Sequence, residues 1–332
     1  MKAKLASPSR RAALSRIGAA ASAALVPSTR VRAQAAYPSK PVRVIVPYSA
    51  GGGADTLART IFGKVSEKLG QQFIIDNRPG GGATIGAAVV AKAPPDGYTI
   101  LYDATAFSVN PTLFAKLPYD PRTDFQPVFL AGLLPLLLVV NPSVKANSVA
   151  DVVALGKASK DGLEWASAGN GSVQHLALEL FERQAGIKLN HVPYKGGAPA
   201  LTDLVAGHVK FYFSNTAASN SYVKAGTVRA LAHTGKGRLS MLPDLPAVAD
   251  TLPGFEAYEW NGVFVPAGTP APIVTQLNTV LNDVLRDAAV RDRFAQLTVQ
   301  SQPNKPAEFA AFVNAETEKW GKIVREGNIK PD

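Results

Sequence analysis

Glycine-rich turns, each lying between a strand-like run and a helix-like run, most constrain what this chain can fold into. The first spans residues 47–55 (PYSAGGGAD) and the second spans residues 77–86 (NRPGGGATIG). Glycine lets backbone N–H groups come close to a ligand, and a helix that begins after the turn adds unpaired donors and the positive end of its dipole. Two such turns facing one cleft predict a site for a small anion, above all a carboxylate.

Short apolar runs, which predict strands, alternate with amphipathic stretches, which predict helices. The pattern occurs over residues 42–131 and again over residues 148–233, and it predicts a parallel sheet covered by helices in each half. The second series holds a third glycine turn at residues 167–172 (SAGNGS). Two amphipathic stretches near the end, 273–297 and 307–325, each predict one long helix.

Two longer apolar runs, residues 133–140 and 258–265, predict extended segments that cross between two domains. A separate strand is predicted at residues 127–131. The predicted fold class is α/β, with two doubly wound domains joined by two extended crossings. Such a clamshell binds ligands beyond the carboxyl ends of its strands and closes about a hinge. The predicted domains are residues 36–137 with 262–332 for domain 1 and residues 138–261 for domain 2.

Residues 1–35 have the pattern of an export signal. They contain seven Lys and Arg residues, no acidic residue, and an apolar stretch at 17–26 that is too short to span a membrane. Ala33-Gln34-Ala35 fits a cleavage site, and Arg10-Arg11 leaves both the twin-arginine and the Sec routes open. The chain is therefore predicted to be periplasmic. Cleavage would reduce the formal net charge from +10 to +3, so nucleic acid is not an expected partner.

Sequence signals for a cofactor, a metal or catalysis are lacking. The chain has no cysteine, and its four histidines have no metal-ligand spacing. Neither a dinucleotide fingerprint, a P-loop nor a nucleophile elbow is present. Because no nucleophile and base can be paired, a secreted α/β enzyme acting on an organic acid is only the alternative to a binding protein.

A set of short segments gives the chain a resemblance to a known family. Together they resemble the Bug-type extracytoplasmic solute-binding receptors of tripartite tricarboxylate transporters over almost all of residues 36–332. The resemblance implies a type II periplasmic binding fold. The segments are 37–41 (YPSKP), 47–55, 77–82, 96–99 (DGYT), 110–111 (NP), 169–176 (GNGSVQHL), 191–196 (HVPYKG), 242–244 (LPD) and 266–270 (PAGTP).

The resemblance also implies that two loops of the first domain pinch a ligand carboxylate, partly through water. Asp55 is interpreted as a cap on the first helix rather than a ligand contact. His175 could reach an anion at its helix start, but such a residue is more often a solvated helix histidine. The predicted ligand-binding residues are Tyr48, Ser49, Gly51, Gly52, Gly53, Gly80, Gly81, Gly82, Ala83, Thr84, Ala104, Thr105, Ala106, Gly169, Asn170, Gly171, Ser172, His175 and Asn215.

The predicted function is that of a monomeric solute-binding receptor. It would capture a small carboxylate-bearing ligand in the cleft between its domains and deliver it to the membrane components of a tripartite tricarboxylate transporter, without cofactor or metal. Backbone donors recognise a carboxylate but not what is attached to it. Dicarboxylates, tricarboxylates, amino acids and aromatic acids therefore all remain open.

Overall fold

The computed structural model describes residues 37–194, 196–239 and 242–331. The predicted export signal at 1–35 lies outside the described residues. Within the described ranges, nine strands form one mixed sheet and ten α-helices cover it.

The bounds of these elements are as follows. The strands are β1 (Val42–Val46), β2 (Phe73–Asn77), β3 (Thr99–Ala104), β4 (Phe125–Val140), β5 (Leu163–Ser167), β6 (Leu189–Pro193), β7 (Phe211–Asn215), β8 (Arg229–His233) and β9 (Tyr258–Pro266). The helices are α1 (Gly53–Leu69), α2 (Thr84–Ala91), α3 (Ala106–Leu113), α4 (Val149–Ala158), α5 (Val173–Ala185), α6 (Gly197–Ala206), α7 (Thr216–Lys224), α8 (Ala271–Val284), α9 (Ala288–Gln296) and α10 (Pro306–Glu326).

The sheet has parallel strands toward its two ends and antiparallel strands at its centre. Its order is β2-β1-β3-β9-β4-β7-β5-β6, with β8 also beside β4. β1 pairs in parallel with β2 and β3, and β5 pairs in parallel with β6 and β7. The two central strands, β9 and β4, are antiparallel to each other and to their outer neighbours. The carboxyl ends of β3 and β7 therefore approach each other across β9 and β4.

One predicted boundary in the centre of the sheet is wrong. The strand expected at 127–131 and the crossing expected at 133–140 are a single strand, β4, of 16 residues. β9 pairs along its first part with a shift of register between Leu130 and Gly132, so the expected break is only a bulge. Gly132 is required there because a side chain would collide with Val299.

The helix predicted over residues 273–297 is in fact two helices, α8 and α9. Asp287 lies between them, and its Oδ1 accepts the N–H groups of Ala289 and Val290 at 3.0 and 3.3 Å. An Asp that caps a new helix start stops the previous helix from continuing, although the apolar periodicity continues. Sequence reasoning also missed α3, which contains Pro111, and α7, which is rich in polar residues.

Apolar packing joins the two predicted halves. Trp165, Trp260 and Trp320 are fully buried. Leu113 of α3 and Trp320 of α10 belong to the same cluster as Trp165 of β5. The domain boundaries expected from the sequence remain a prediction.

Candidate functional site

The first glycine turn leads directly from β1 into α1. Gly51 has a φ of 80°, Gly52 is the N-cap, and the glycines at 51–53 are exposed. Asp55, only 2% exposed, accepts hydrogen bonds from the Gly51 N–H at 2.8 Å and from Arg59 Nε at 2.9 Å. Burial would raise the pKa of Asp55, but the bonds from Arg59, Gly51 and Asn77 outweigh it and lower the pKa. Asp55 thus accepts a backbone N–H at the helix start, although it lies in the first turn and not at the N-cap itself.

The second glycine turn leads from β2 into α2. Gly80, Gly81, Gly82 and Ala83 all have positive φ, at 122°, 56°, 59° and 76°. This run of left-handed backbone explains the three glycines, because side chains rarely adopt it. A side chain of α3 holds this turn in place, because the Asn110 amide donates to the carbonyl of Gly82 at 2.7 Å.

These two turns lie against each other. The Asn77 side chain donates to the carbonyl of Tyr48 at 3.0 Å. Gly86 of α2 packs on Pro47, and an added Cβ would lie 2.7 Å from the Pro47 Cβ and 3.0 Å from the Arg78 carbonyl oxygen. The structure therefore brings the turns at 47–55 and 77–86 together at the carboxyl ends of β1 and β2, beside the starts of α1 and α2.

The loop after β3 is tied to β9. Thr105 is buried, and its Oγ1 accepts the N–H of Trp260 at 3.1 Å. Its hydroxyl therefore already has a structural partner. Ala104 ends β3 and Ala106 begins α3, so both remain at the same edge of the sheet as the first two turns.

The third glycine turn precedes α5 and packs against α3. Gly171 has a φ of 71°, and an added Cβ would lie 2.5 Å from a methyl carbon of Leu113. Ser172 caps α5, and its hydroxyl donates to the Gly169 carbonyl at 2.7 Å. The solvated reading of His175 is wrong, because this residue is buried. His175 Nδ1 accepts the Gly171 N–H at 3.2 Å and its ring stacks on His191.

Asn215, at the end of β7, connects side chains from two parts of the sheet. Its Oδ1 accepts from Gln174 Nε2 of α5 at 3.0 Å, and its Nδ2 donates to Glu259 Oε2 of β9 at 2.8 Å. Burial raises the pKa of Glu259, and the bond from Asn215 only partly opposes this.

Sequence reasoning missed three polar residues beside this edge, namely Asp103, Glu259 and Asn261. Asp103 is 1% exposed, and its Oδ1 accepts from the Tyr48 hydroxyl at 2.8 Å and from the Ala104 N–H at 2.7 Å. Burial raises the pKa of Asp103 to about 7. The available signal was a polar residue interrupting an apolar strand near one end, as in TILYDA and YEWNGVFVP.

Neither a metal site nor a membrane-spanning helix is found among the described residues. In the described part of the chain, no group of three or more His, Cys, Asp or Glu side chains is placed to hold a metal. Nor does that part contain a helix with the length and apolar character needed to cross a bilayer.

Sequence comparisons match almost the whole described chain. A family model described as the tripartite tricarboxylate transporter family receptor matches residues 57–329. A UPF0065 protein in the tcbD-tcbE intergenic region of Pseudomonas sp. (strain P51) is 39% identical over 301 residues, which is 90% of each chain. Protein BugT of Bordetella pertussis is 34% identical over 297 residues, covering 89% of this chain and 91% of BugT.

Solved structures are similar over the same range. R. palustris Rpa4515 with adipate has a TM-score of 0.79 at 36% identity, covering 89% of this chain and 100% of that one. The periplasmic binding protein BugD has a TM-score of 0.76 at 32% identity, covering 89% of this chain and 100% of BugD. MatC from Rhodopseudomonas palustris with bound malate has a TM-score of 0.74 at 33% identity, covering 87% of this chain and 100% of MatC.

Proposed function

This chain belongs to the tripartite tricarboxylate transporter receptor family, and from this premise we propose that its three glycine turns hold a carboxylate of a small organic acid. Family membership makes it a periplasmic solute-binding receptor and not an enzyme. The predicted α/β periplasmic binding fold and the predicted resemblance to Bug-type receptors are confirmed. The secreted-enzyme alternative is therefore discarded.

The observation that carries the proposal is the contact between the first two turns. The bond from Asn77 to Tyr48 and the close packing of Gly86 on Pro47 hold two helix starts side by side. Helix starts offer unpaired N–H donors and a positive dipole end, which favour an anion. Two similar proteins were solved with adipate and with malate, both of which are carboxylates.

Each predicted residue then has a role. The residues from Tyr48 to Gly53 and from Gly80 to Thr84 form the pincer, and the loop at 104–106 lies beside it. The turn at 169–172, with His175 and Asn215, meets the ligand from the other half. Residues 142–257 move as one body against the rest, so that the third turn closes on the bound ligand.

We further propose how the receptor is exported and how it delivers its ligand. The receptor is exported through the cleaved segment 1–35, by the twin-arginine or the Sec route, and acts as a monomer. It delivers its ligand to the membrane components of a tripartite tricarboxylate transporter.

A titration of residues 36–332 against a panel of carboxylates tests this function. The panel holds dicarboxylates, tricarboxylates, amino acids and aromatic acids, each with its methyl ester. We expect at least one acid to bind and its ester to bind poorly, because esterification removes the charge that the N–H donors favour. Binding of acid and ester with the same affinity would contradict the carboxylate site.

A matched pair of glycine variants places the binding on the pincer. Gly81→Val puts a branched side chain at a φ of 56° with its Cβ 2.6 Å from the Thr84 hydroxyl oxygen. Gly254→Val is the control, because Gly254 has a φ of 82° with open space around it. We expect Gly81→Val to weaken binding at least a hundredfold while Gly254→Val binds as the parent does. Equal affinity in the two variants would refute the pincer.

A further inference from the structure

We propose that the ligand of this receptor carries a protonated amine as well as a carboxylate, and that Glu259 receives the amine. This inference rests on the proposed carboxylate-binding function and names a second chemical feature of the same ligand. It is carried by the position of Glu259 in the sheet, by the lack of a cationic partner for it among the described residues, and by the neighbouring Asn261.

Glu259 lies just beyond the carboxyl end of β3. Ala104, the last residue of β3, is paired with Asn261 of the antiparallel strand β9. Glu259 precedes Asn261 by two residues on β9, and because the strands are antiparallel it lies about 7 Å past the end of β3. Side chains two residues apart point to the same face of a sheet, so Glu259 and Asn261 share a face.

Glu259 also faces the carboxyl end of β7. It is paired with Leu134 of β4, while Asn215, which ends β7, is paired with Leu136 of the same strand. All four side chains therefore lie on one face, and the 2.8 Å bond between Asn215 and Glu259 spans β4. Glu259 thus stands where the strand ends of the two halves meet, which is where this class of sheet binds its ligands.

Glu259 has no cationic partner among the described residues. Within the described ranges its hydrogen-bond partner is the neutral amide of Asn215, and it forms no salt bridge there. Burial and then the charge of Glu259 raise the pKa of Tyr102 on β3 and of Tyr212 on β7. The carboxylate therefore lies close to both halves and is only partly exposed, and an unpaired charge that is partly removed from water is costly.

The side chain of Asn261 is a second and independent indication that a polar ligand group binds here. It is completely buried, and neither its side-chain oxygen nor its nitrogen has a partner among the described residues. Buried amides are nearly always hydrogen-bonded, so a polar group from outside the protein is expected here. The amide oxygen can accept from an ammonium group, and the amide nitrogen can donate to a carboxylate.

These groups select an amine over a second carboxylate. A ligand carboxylate at Glu259 would bring two like charges together, and each would disfavour the charged form of the other. An ammonium group would instead form charge-assisted hydrogen bonds to Glu259 and a further bond to the Asn261 oxygen. The carboxylate of the same ligand would reach the glycine turns at the starts of α1 and α2.

Matched pairs of acids that differ only by an amino group test this inference. The probes are succinate and L-aspartate, glutarate and L-glutamate, and adipate and L-2-aminoadipate, titrated by calorimetry at pH 7 into residues 36–332. We expect the amino acid to bind at least tenfold tighter than its partner in at least one pair. This comparison uses the unaltered protein and does not depend on whether a variant folds.

Glu259→Gln then assigns the preference to one side chain. The variant keeps the size of Glu259 and an oxygen for the Asn215 bond. We expect Glu259→Gln to weaken binding of the amino acid at least tenfold, while the dicarboxylate binds as tightly as it does to the parent or more tightly. Glu164→Gln, which alters an exposed carboxylate of β5, is the control and should change neither affinity.

Three results would overturn the inference while leaving carboxylate binding intact. The first is a dicarboxylate that binds as tightly as its amino partner in every pair that binds. The second is that Glu259→Gln weakens binding of the dicarboxylate and of the amino acid by the same factor. The third is that Glu259→Gln still binds the amino acid more tightly than the dicarboxylate. If no carboxylate in the wider panel binds, the proposed function fails and this inference falls with it.

Discussion

We expect the buried carboxylate of Asp103 to make the stability of this receptor dependent on pH. Its Oδ1 accepts two hydrogen bonds, from Tyr48 and from Ala104, while its Oδ2 has no partner among the described residues. Asp103→Asn keeps the accepting oxygen and places an uncharged NH₂ group at the unpartnered position. The amide therefore imitates the protonated acid at every pH.

The magnitude follows from the difference in pKa between the folded and the unfolded chain. Burial raises the pKa of Asp103 from 3.8 to about 7, a difference of about three pKa units. Each unit corresponds to about 1.36 kcal/mol, so ionising Asp103 in the fold costs about 4 kcal/mol. The unfolded chain loses this proton near pH 4 and the folded chain near pH 7, so the unfolded chain binds fewer protons between these values. The contribution of Asp103 to the free energy of unfolding therefore falls as pH rises from 4 to 7 and is constant above that.

Urea unfolding of ligand-free residues 36–332 measures this effect. Trp165 of β5, Trp260 of β9 and Trp320 of α10 are fully buried, so their fluorescence reports unfolding around these three elements. The free energy of unfolding of Asp103→Asn minus that of the parent should increase by about 4 kcal/mol between pH 4 and pH 8. Asp161→Asn, which neutralises an exposed carboxylate, should show a much smaller change.

A flat difference between Asp103→Asn and the parent across this range would refute the reasoning. It would mean that water or a counter-charge reaches Asp103 and holds its pKa near the ordinary value. A difference that decreases with pH would show that the charged carboxylate is the stabilised form, which reverses the expected sign.

Two further predictions concern the pincer and the closing motion. Gly86→Ala should lower the free energy of unfolding by about 1–3 kcal/mol and weaken carboxylate binding, because the added Cβ would lie 2.7 Å from the Pro47 Cβ and push the first two turns apart. Urea unfolding measures the first effect and calorimetry the second. A variant that is destabilised but binds as the parent does would show that the packing of Gly86 does not position the binding turns. Small-angle scattering of the protein saturated with its tightest panel acid should give a smaller radius of gyration than the free protein, because a ligand that contacts both halves favours the closed form. Tight binding without compaction would argue against the hinge.

Local chemistry made many elements predictable. Gly70 and Gly186 end α1 and α5 in the left-handed C-cap conformation that favours glycine. The glycine turns were predictable for the same reason, since Gly80 to Gly82 need a positive φ that other residues avoid. The errors at β4 and between α8 and α9 arose where a long-range strand pairing or a single capping side chain outweighed the local pattern.

The positions of Asp103, Asn215 and Glu259 in the candidate site, in contrast, depend on which strands become neighbours. Residues 103 and 262 lie far apart in the sequence but are paired across β3 and β9, and Asn215 meets Glu259 only because β4 separates β7 from β9 by one strand. No periodicity or motif in the sequence records this register. Whether a carboxylate is charged also depends on burial, which is set by the folded surroundings.

By itself, the sequence determined the positions of the glycine turns, the long final helix and the family resemblance of the chain. These follow from backbone freedom, apolar periodicity and short motifs. Only the tertiary structure decided that the first two turns lie against each other and that Glu259, Asn261 and Asp103 lie beside them. The physical reason is that a turn is specified by a few adjacent residues. The electrostatics of a cleft are specified by strand register and burial, which arise when distant segments pack together.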